Sequence, residues 1–402
     1  MQLSHKFRLY PSRKQEEKLL WTLDQCRFVY NEMLSKLKKQ EKPDKLKLQS
    51  QLPELKRKHP DLKDVYSKVL QYEVHRLFSN LRALVRLKKN GRKIGGLRFK
   101  GREWFKTITY NQSGFKIVLN GRRCQTLHLS KIGNIPIRMH RNLAGRIKQV
   151  TIKRHRSGRW FACFTVEGEA KQARRKRIAK TVGIDLGVNH FAADSEGSFV
   201  EHPHFLNKTL KKLRREQRCL SRRKKLSKNR LKQRIRVARI HEKILNQRND
   251  FLHKLSNSYI DRYDLIAVED LNIKGLIGIS FNARNIADSS WSRFLQMLSY
   301  KAERAGKTVV RVEARGTTQK CSRCGMEVKK SLSTRMHCCP CCGLEIDRDY
   351  NAALNILKLG LEKLPQELRE STPVEMEQTL SLKQEAPCES WGVVHTQSLF
   401  YI

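Results

Sequence analysis

Three carboxylates stand where ligand chemistry is most readily done. Asp185 ends the apolar run VGID, and Gly183 and Gly187 on either side leave room for close approach of backbone or ligand. Glu269 ends a second apolar run, LIAVE, and Asp349 precedes a helical pattern, YNAALNI. Carboxylates at strand ends in α/β folds face the crevice that ligands occupy. Three of them converging beside a phosphate-binding surface suit a pair of Mg²⁺ ions. Two such ions, about 3.5–4 Å apart, activate a water and stabilise the leaving oxygen of a phosphodiester. Mg²⁺ takes oxygen ligands and keeps several waters, so few protein carboxylates suffice. Taken singly, each acid reads equally well as a helix cap or a surface group. The informative feature is an acid at the end of two otherwise apolar strands. Asp270 competes with Glu269 for the role, and the pattern alone does not choose between Asp347 and Asp349.

The second constellation is sulfur. Of eleven cysteines, six fall between Cys321 and Cys342, while Cys26, Cys124, Cys163, Cys219 and Cys388 are scattered. Clustering of this kind, in a chain without an export signal, points to metal rather than to a disulfide framework. Cys321-Ser-Arg-Cys324-Gly and Cys339-Pro-Cys341-Cys342-Gly are two CxxC knuckles, each followed by glycine. Four thiolates so arranged form a tetrahedron around Zn²⁺, closed to substrate and therefore structural. Cys338 and Cys341 make a competing CxxC, and the glycine after Cys342 favours Cys339 with Cys342.

These groups sit in a strongly basic chain. Its 402 residues carry 84 Lys+Arg against 38 Asp+Glu, a formal charge of +46. A chain so charged repels itself and attracts polyanions, and 39% hydrophobic residues supply real cores. Residues 211–248 hold 17 Lys/Arg against two acids, Glu216 and Glu242, a composition suited to neutralising phosphates. Trp104, Phe105, Tyr110, Trp160 and Phe161 lie among cations; core packing is the better reading for them, and base stacking the alternative. No apolar stretch reaches a membrane span, and the first twenty residues lack the apolar segment of a secretory signal. The expected setting is soluble and intracellular, with nucleic acid as partner and no membrane.

The elements that must position this chemistry fall into three regions. LSHKFRLY reads as a strand, and Ser12 with Gln15 forms a capping box for a helix whose face is Leu19, Leu23, Cys26, Tyr30, Met33 and Leu37. A linker with Pro43, Pro53 and Pro60 leads to a second helix, about Leu62 to Leu87, with Leu70, Val74, Leu77, Leu81 and Leu84 on one stripe. Five short strands follow (115–119, 126–129, 135–139, 147–154 and 160–166), the last two joined by the hairpin HRSGR; with the N-terminal strand they suggest a small barrel. The third region reads as three strands, a long helical pair over about Phe205 to Tyr259, a strand, a helix near Trp291 to Ala305, a strand, the cysteines and a last helix. That is an α/β pattern. Beyond about Pro373 little periodicity remains, and a loosely ordered tail is expected.

Together, RLYPSRKQ…CRFVYNEML, GIDLGV, LIAVEDL, CSRCG…CCPCCG and DRDYNAALNI resemble the TnpB (OrfB) proteins of bacterial insertion sequences, compact relatives of the type V CRISPR effectors. The resemblance covers residues 1 to about 360. It implies an α/β plus all-β chain: an RNase H-like, RuvC-type nuclease domain with an inserted zinc ribbon, preceded by a wedge-like β-barrel carrying a helical insertion. The expected division is 1–10 first barrel strand, 11–95 helical recognition insertion and 96–172 wedge barrel. The nuclease domain follows at 177–316, then the zinc ribbon at 317–346, the last nuclease segment at 347–362 and the tail at 363–402. The resemblance also implies Asp185, Glu269 and Asp349 as ligands of catalytic Mg²⁺, choosing Asp349 over Asp347 by analogy, and Cys321, Cys324, Cys339 and Cys342 as ligands of structural Zn²⁺. The implied activity is RNA-guided cleavage of double-stranded DNA, with a guide RNA derived from the transposon end and a short motif flanking the target. The competing expectations are a strand-transfer transposase using the same acids and a non-catalytic basic zinc-ribbon RNA-binding regulator. No helix-turn-helix dimer or finger array is evident in the pattern.

Overall fold

The computed structural model describes residues 2–120, 124–168, 178–279, 282–313, 316–331 and 334–364. The chain divides into two compact units, Met1–Ala170 with Glu216–Glu242, and Lys171–Arg215 with Lys243–Ile402. Among the described residues no helix is long and apolar enough to cross a membrane.

The first unit begins with strand β1 (Gln2–Leu9) and helix α1 (Arg13–Lys38). The capping box forms as expected: Gln15 N donates to Ser12 Oγ at 3.3 Å and Ser12 N donates to Gln15 Oε1 at 3.0 Å. All six residues of the expected α1 face are buried. The proline-marked linker is instead two short helices, α2 (Lys45–Gln49) and α3 (Leu52–Lys58), followed by a 3-10 turn over Pro60–Asp64. Asp44 caps α2, and Pro53 and Pro60 occupy first-turn positions, where a missing N–H costs nothing. Leu62 therefore belongs to that turn, and α4 starts later than expected (Ser67–Lys89). Leu70, Val74 and Leu77 are buried, while Leu81 and Leu84 are only half-buried as the helix runs outward.

Six strands follow rather than five: β2 (Thr107–Asn111), β3 (Phe115–Asn120), β4 (Cys124–Leu129), β5 (Gly133–Arg138), β6 (Arg146–Arg154) and β7 (Trp160–Glu167). TITYN was absent from the expected set because its partner, β6, lies some forty residues on. With β1 they make one sheet in the order β2-β6-β7-β1-β5-β4-β3. The N-terminal strand does join it, pairing antiparallel with both β5 and β7. The two end strands are consecutive in the chain, and the Tyr110 hydroxyl on β2 donates to the Ser130 carbonyl at 3.1 Å, so the sheet curls into a nearly closed barrel. One core is shared by barrel residues such as Phe7, Trp160 and Phe164 and the buried stripes of α1 and α4.

The second unit opens with β8 (Thr181–Asp185), β9 (His190–Asp194) and β10 (Phe199–Glu201). The helical pair is α5 (Phe205–Ser221) and α6 (Lys228–Arg262), whose residues 216–242 group with the first unit. After it come β11 (Leu265–Glu269), α7 (Ile273–Ile279), α8 (Ala283–Ser289), α9 (Trp291–Ala305) and β12 (Thr308–Val312). The two short helices α7 and α8 were not expected, since their sequences carry no sustained periodicity. The sheet order is β10-β9-β8-β11-β12, antiparallel through the first three strands and parallel from β8 to β12. A small hairpin, β13 (Met336–Cys338) and β14 (Glu345–Asp347), precedes the last helix, α10 (Arg348–Glu362). The tail expected from 363 falls, beyond Leu364, outside the described residues.

Helix α10 packs on β8 and β11 closely enough to demand glycine. A Cβ at Gly183 would stand 2.2 Å from the Ala353 carbonyl and 2.6 Å from Leu357 N; one at Gly360 would stand 2.4 Å from Ala267 Cβ. Gly183→Ala must push α10 away, at a cost of about 1–3 kcal/mol for overpacking. A calorimetric scan is expected to show a melting temperature several degrees lower, and an unchanged value would refute the close packing.

Candidate functional site

Strands β8 and β11 run parallel in a register that pairs Ile184 with Val268, so Asp185 and Glu269 end neighbouring strands at the same level. Asp349 lies in the first turn of α10, and a Cβ built on Gly187 would sit 3.8 Å from its Oδ2. All three acids are buried. They are electrostatic neighbours: burial holds the Asp185 carboxyl well above its ordinary range, and Glu269 and then Asp349 raise it further, while Arg348 opposes them. Burial also raises Glu269, against the lowering effect of a hydrogen bond from Thr317.

Each acid has a different local reason for its place. Glu269 Oε1 accepts from the Thr317 hydroxyl at 2.5 Å. Asp349 Oδ1 accepts from Arg348 Nε at 3.1 Å and Nη2 at 3.0 Å. The competing acids are employed elsewhere. Asp347 is the N-cap of α10, its Oδ1 accepting from Asp349 N at 2.8 Å and Tyr350 N at 3.1 Å. Asp270 is exposed and pairs with Arg311 at 3.3 Å. Among the described residues the carboxylates do not draw within 4.8 Å of one another as a set, as the four thiols do. Buried acids that repel one another favour an added cation, so the donor set fits Mg²⁺.

Several supporting residues escaped the sequence reading. Asn355 Nδ2 donates to the Thr317 and Lys320 carbonyls at 2.8 and 2.7 Å, fastening the segment that carries the Thr317 hydroxyl. Asn351 Nδ2 donates to the Lys320 carbonyl at 2.7 Å, and its Oδ1 accepts from Ser322 N at 2.9 Å. Two asparagines at i, i+4 amid the apolar residues of α10 were the available signal.

The thiols of Cys321, Cys324, Cys339 and Cys342 all lie within 4.8 Å of one another, the nearest pairs at 3.6 Å (Cys321–Cys342) and 3.5 Å (Cys324–Cys339). A tetrahedron with Zn–S near 2.3 Å has edges of about 3.8 Å, so this donor set fits zinc. Cys338 and Cys341 are exposed and outside the cluster. Gly325 and Gly343 adopt φ of +78° and +70°, and each donates its N–H to the first cysteine of its knuckle, at 2.9 and 3.0 Å. Hydrogen bonds from the backbone of Cys342, then of Cys341, bring the Cys339 thiol down to about 6, while burial pushes Cys342 up to about 12.

The basic stretch faces solvent. Of its 17 Lys/Arg all but Arg230 and Arg248 are exposed. Its two acids are engaged, Glu216 with Gln233 at 2.7 Å and Glu242 with His155 and Arg159 at 3.4 and 3.3 Å. Among the five aromatics, Phe105, Tyr110 and Trp160 are core; Phe161 is half-buried with Lys6 Nζ 4.0 Å above its ring, and Trp104 is exposed.

Comparison with known proteins places this arrangement. Family models described as "Probable transposase", "Cas12f1-like, TNB domain" and "Helix-turn-helix domain" match residues 163–280, 291–356 and 1–44. The last covers a strand and a single long helix in this structure. A relative from Escherichia coli K12, named as a candidate RNA-guided DNA endonuclease InsQ, is 30% identical over 88% of this chain and 91% of its own length. The chain belongs to the TnpB (OrfB) family. A Streptomyces pristinaespiralis member, also named as a candidate RNA-guided DNA endonuclease, is 37% identical over 53% of this chain; the match spans about half of that relative, 52%. A solved CRISPR-Cas12f ternary complex overlaps 86% of this chain and 80% of its own at 16% identity, with a TM-score of 0.36, too loose a likeness to define a fold.

Proposed function

We propose that this family member is an RNA-guided DNA endonuclease of a bacterial insertion sequence, working at the nucleoid, and that its second unit is an RNase H-like, RuvC-type nuclease domain with an inserted zinc ribbon. The observation that carries the reading is the convergence of three buried acids from β8, β11 and α10. The mixed order of the five-stranded sheet supports the RuvC assignment, and the names of the two bacterial relatives support guidance by RNA. Asp185, Glu269 and Asp349 would hold Mg²⁺, which when bound lowers the pKa of a water and stabilises the leaving oxygen. The chain's own residues do the positioning. Thr317 holds Glu269, Arg348 orients Asp349, and the exposed cations of α5 and α6 grip backbone phosphates without reading sequence. Specificity then comes from base pairing with a guide RNA derived from the transposon end, while the protein reads duplex shape and a short flanking motif.

Protein purified with its own RNA is expected to cut, in Mg²⁺ at near-physiological salt, only plasmids that match the guide end of that RNA. Exchanging the guide segment redirects the cut. Equal cutting by RNA-free protein would reject guidance. The family description "Probable transposase" favours one second reading, strand transfer by the same acids; joined rather than cleaved DNA ends in that assay would select it.

A further inference from the structure

Trp104 is 78% exposed and Phe99 54% exposed, in a segment otherwise held down. Lys100 N donates to Asn31 Oδ1 at 2.8 Å and Asn31 Nδ2 donates to the Lys100 carbonyl at 3.0 Å, so a side chain of α1 fastens the backbone between the two aromatics. Trp104 N donates to the Gly101 carbonyl at 3.1 Å, closing a 3-10 turn over Arg102–Trp104. The next residue, Phe105, is buried, its ring 6.2 Å from that of Tyr30 and 4.7 Å from the Arg76 guanidinium. The indole is therefore held outward by an anchored turn, and a neighbouring aromatic of the same pair is spent on the core.

A single exposed apolar side chain is ordinary. What distinguishes this one is its company. Residues 92–106 carry six cations, Arg92, Lys93, Arg98, Lys100, Arg102 and Lys106, against one acid, Glu103. Lys38 Nζ lies 4.7 Å over the Phe99 ring, and the Arg102 side chain stays 79% exposed while pairing with Asp24. Among the described residues, Trp104 is the most exposed aromatic; Tyr10, the next after Phe99, is 49% exposed. An apolar protein pocket would take the indole but gain nothing from six cations. A nucleobase offers a π-face joined to phosphates, which uses both.

We infer that Trp104 is a stacking platform for an unpaired base of single-stranded nucleic acid, the surrounding cations gripping the flanking phosphates. This deepens the proposed function and rests on it for the biological origin of the strand. The test uses the full-length protein freed of copurified nucleic acid, and 20-nucleotide RNA and DNA single strands and duplexes of one sequence. Trp104→Ala and Trp104→Leu are expected to weaken single-strand binding by about five- to a hundred-fold, the worth of one stacked base. Trp104→Phe, which keeps a π-face, retains most of the affinity. Duplex binding and the dependence of affinity on salt stay as in the parent, because the phosphate contacts remain. The RNA and DNA arms report which strand is preferred. Single-strand affinity unchanged in Trp104→Ala, or retained in Trp104→Leu, overturns the proposal, as does equal weakening toward duplex. Thermal melting should match the parent, since the indole is exposed. Because no readout involves cleavage, failure here and failure of guided cutting are separable.

Discussion

Asp185→Ala, Glu269→Ala and Asp349→Ala are each expected to abolish DNA cleavage, by on the order of a thousand-fold or more, while Asp347→Ala retains activity. Losing a metal ligand removes several kcal/mol of transition-state stabilisation, and each 1.36 kcal/mol is tenfold in rate. Nucleic-acid affinity should be nearly unchanged, because the exposed cations of α5 and α6 are untouched. Asp347 contributes a helix cap, so its removal costs about 1 kcal/mol of stability and no ligand. An inactive Asp347→Ala beside an active Asp349→Ala would reverse the assignment. The same acids carry a pH signature. The folded protein holds the protons of Asp185 and Glu269 above the usual carboxylate range, through burial first. A raised acid stabilises the fold below its unfolded pKa, and that contribution is lost as pH rises through the folded value. Metal-free Asp185→Asn should therefore melt higher than the parent near neutrality, with the difference closing in acid. Cleavage by the parent should rise with pH, and added Mg²⁺ should move the rise downward, because cation and proton compete for the same oxygens.

Much of this candidate site is legible because it is written in short runs. GIDLG and LIAVE end buried strands with an acid, and no partner need be known to notice that. The buried stripe of α1 is equally local, a three- and four-residue recurrence closed by a capping box. What stayed hidden depends on partners distant in the chain. Thr317 means nothing until β11 delivers Glu269 to it, and Asn351 and Asn355 gain their purpose from the carbonyls of residues 317 and 320. Gly360 reads as a weak point in a helix until Ala267 is seen against it. Asp347 and Asp349 look alike in the sequence because their difference depends on where α10 begins, the first capping the helix and the second lying in its first turn. Prolines at 43, 53 and 60 suggested a linker because Pro breaks helices internally, yet two of them start helical turns here. The stretch 211–248 was readable as charge alone, while the engagement of its two acids needed Gln233, His155 and Arg159.

The parent is expected to bind one zinc ion per chain, and Cys321→Ser, Cys324→Ser, Cys339→Ser and Cys342→Ser are each expected to lose it, whereas Cys338→Ser and Cys341→Ser keep it. Structural zinc contributes about 10–16 kcal/mol to the folding of small metal modules, more than a ribbon with a core of a few residues can replace. The loss should reach the carboxylates as well. Cys321 lies between Lys320, whose carbonyl accepts from Asn351 and Asn355, and Ser322, whose N–H donates to Asn351. Asn355 also holds the Thr317 carbonyl, and the Thr317 hydroxyl holds Glu269. Releasing the knuckle therefore loosens the segment that orients an acid of the site. Loss of such orienting contacts typically costs about 10–100-fold in metal affinity or activity. Metal analysis of each variant, paired with cleavage rates at saturating Mg²⁺, measures both effects. Full zinc in Cys339→Ser with loss in Cys338→Ser would move the site to the other register, and iron in place of zinc would overturn its structural role. Zinc-free protein that cuts at the parental rate would break the link between ribbon and carboxylates, because Glu269 would then be held without the anchored Thr317.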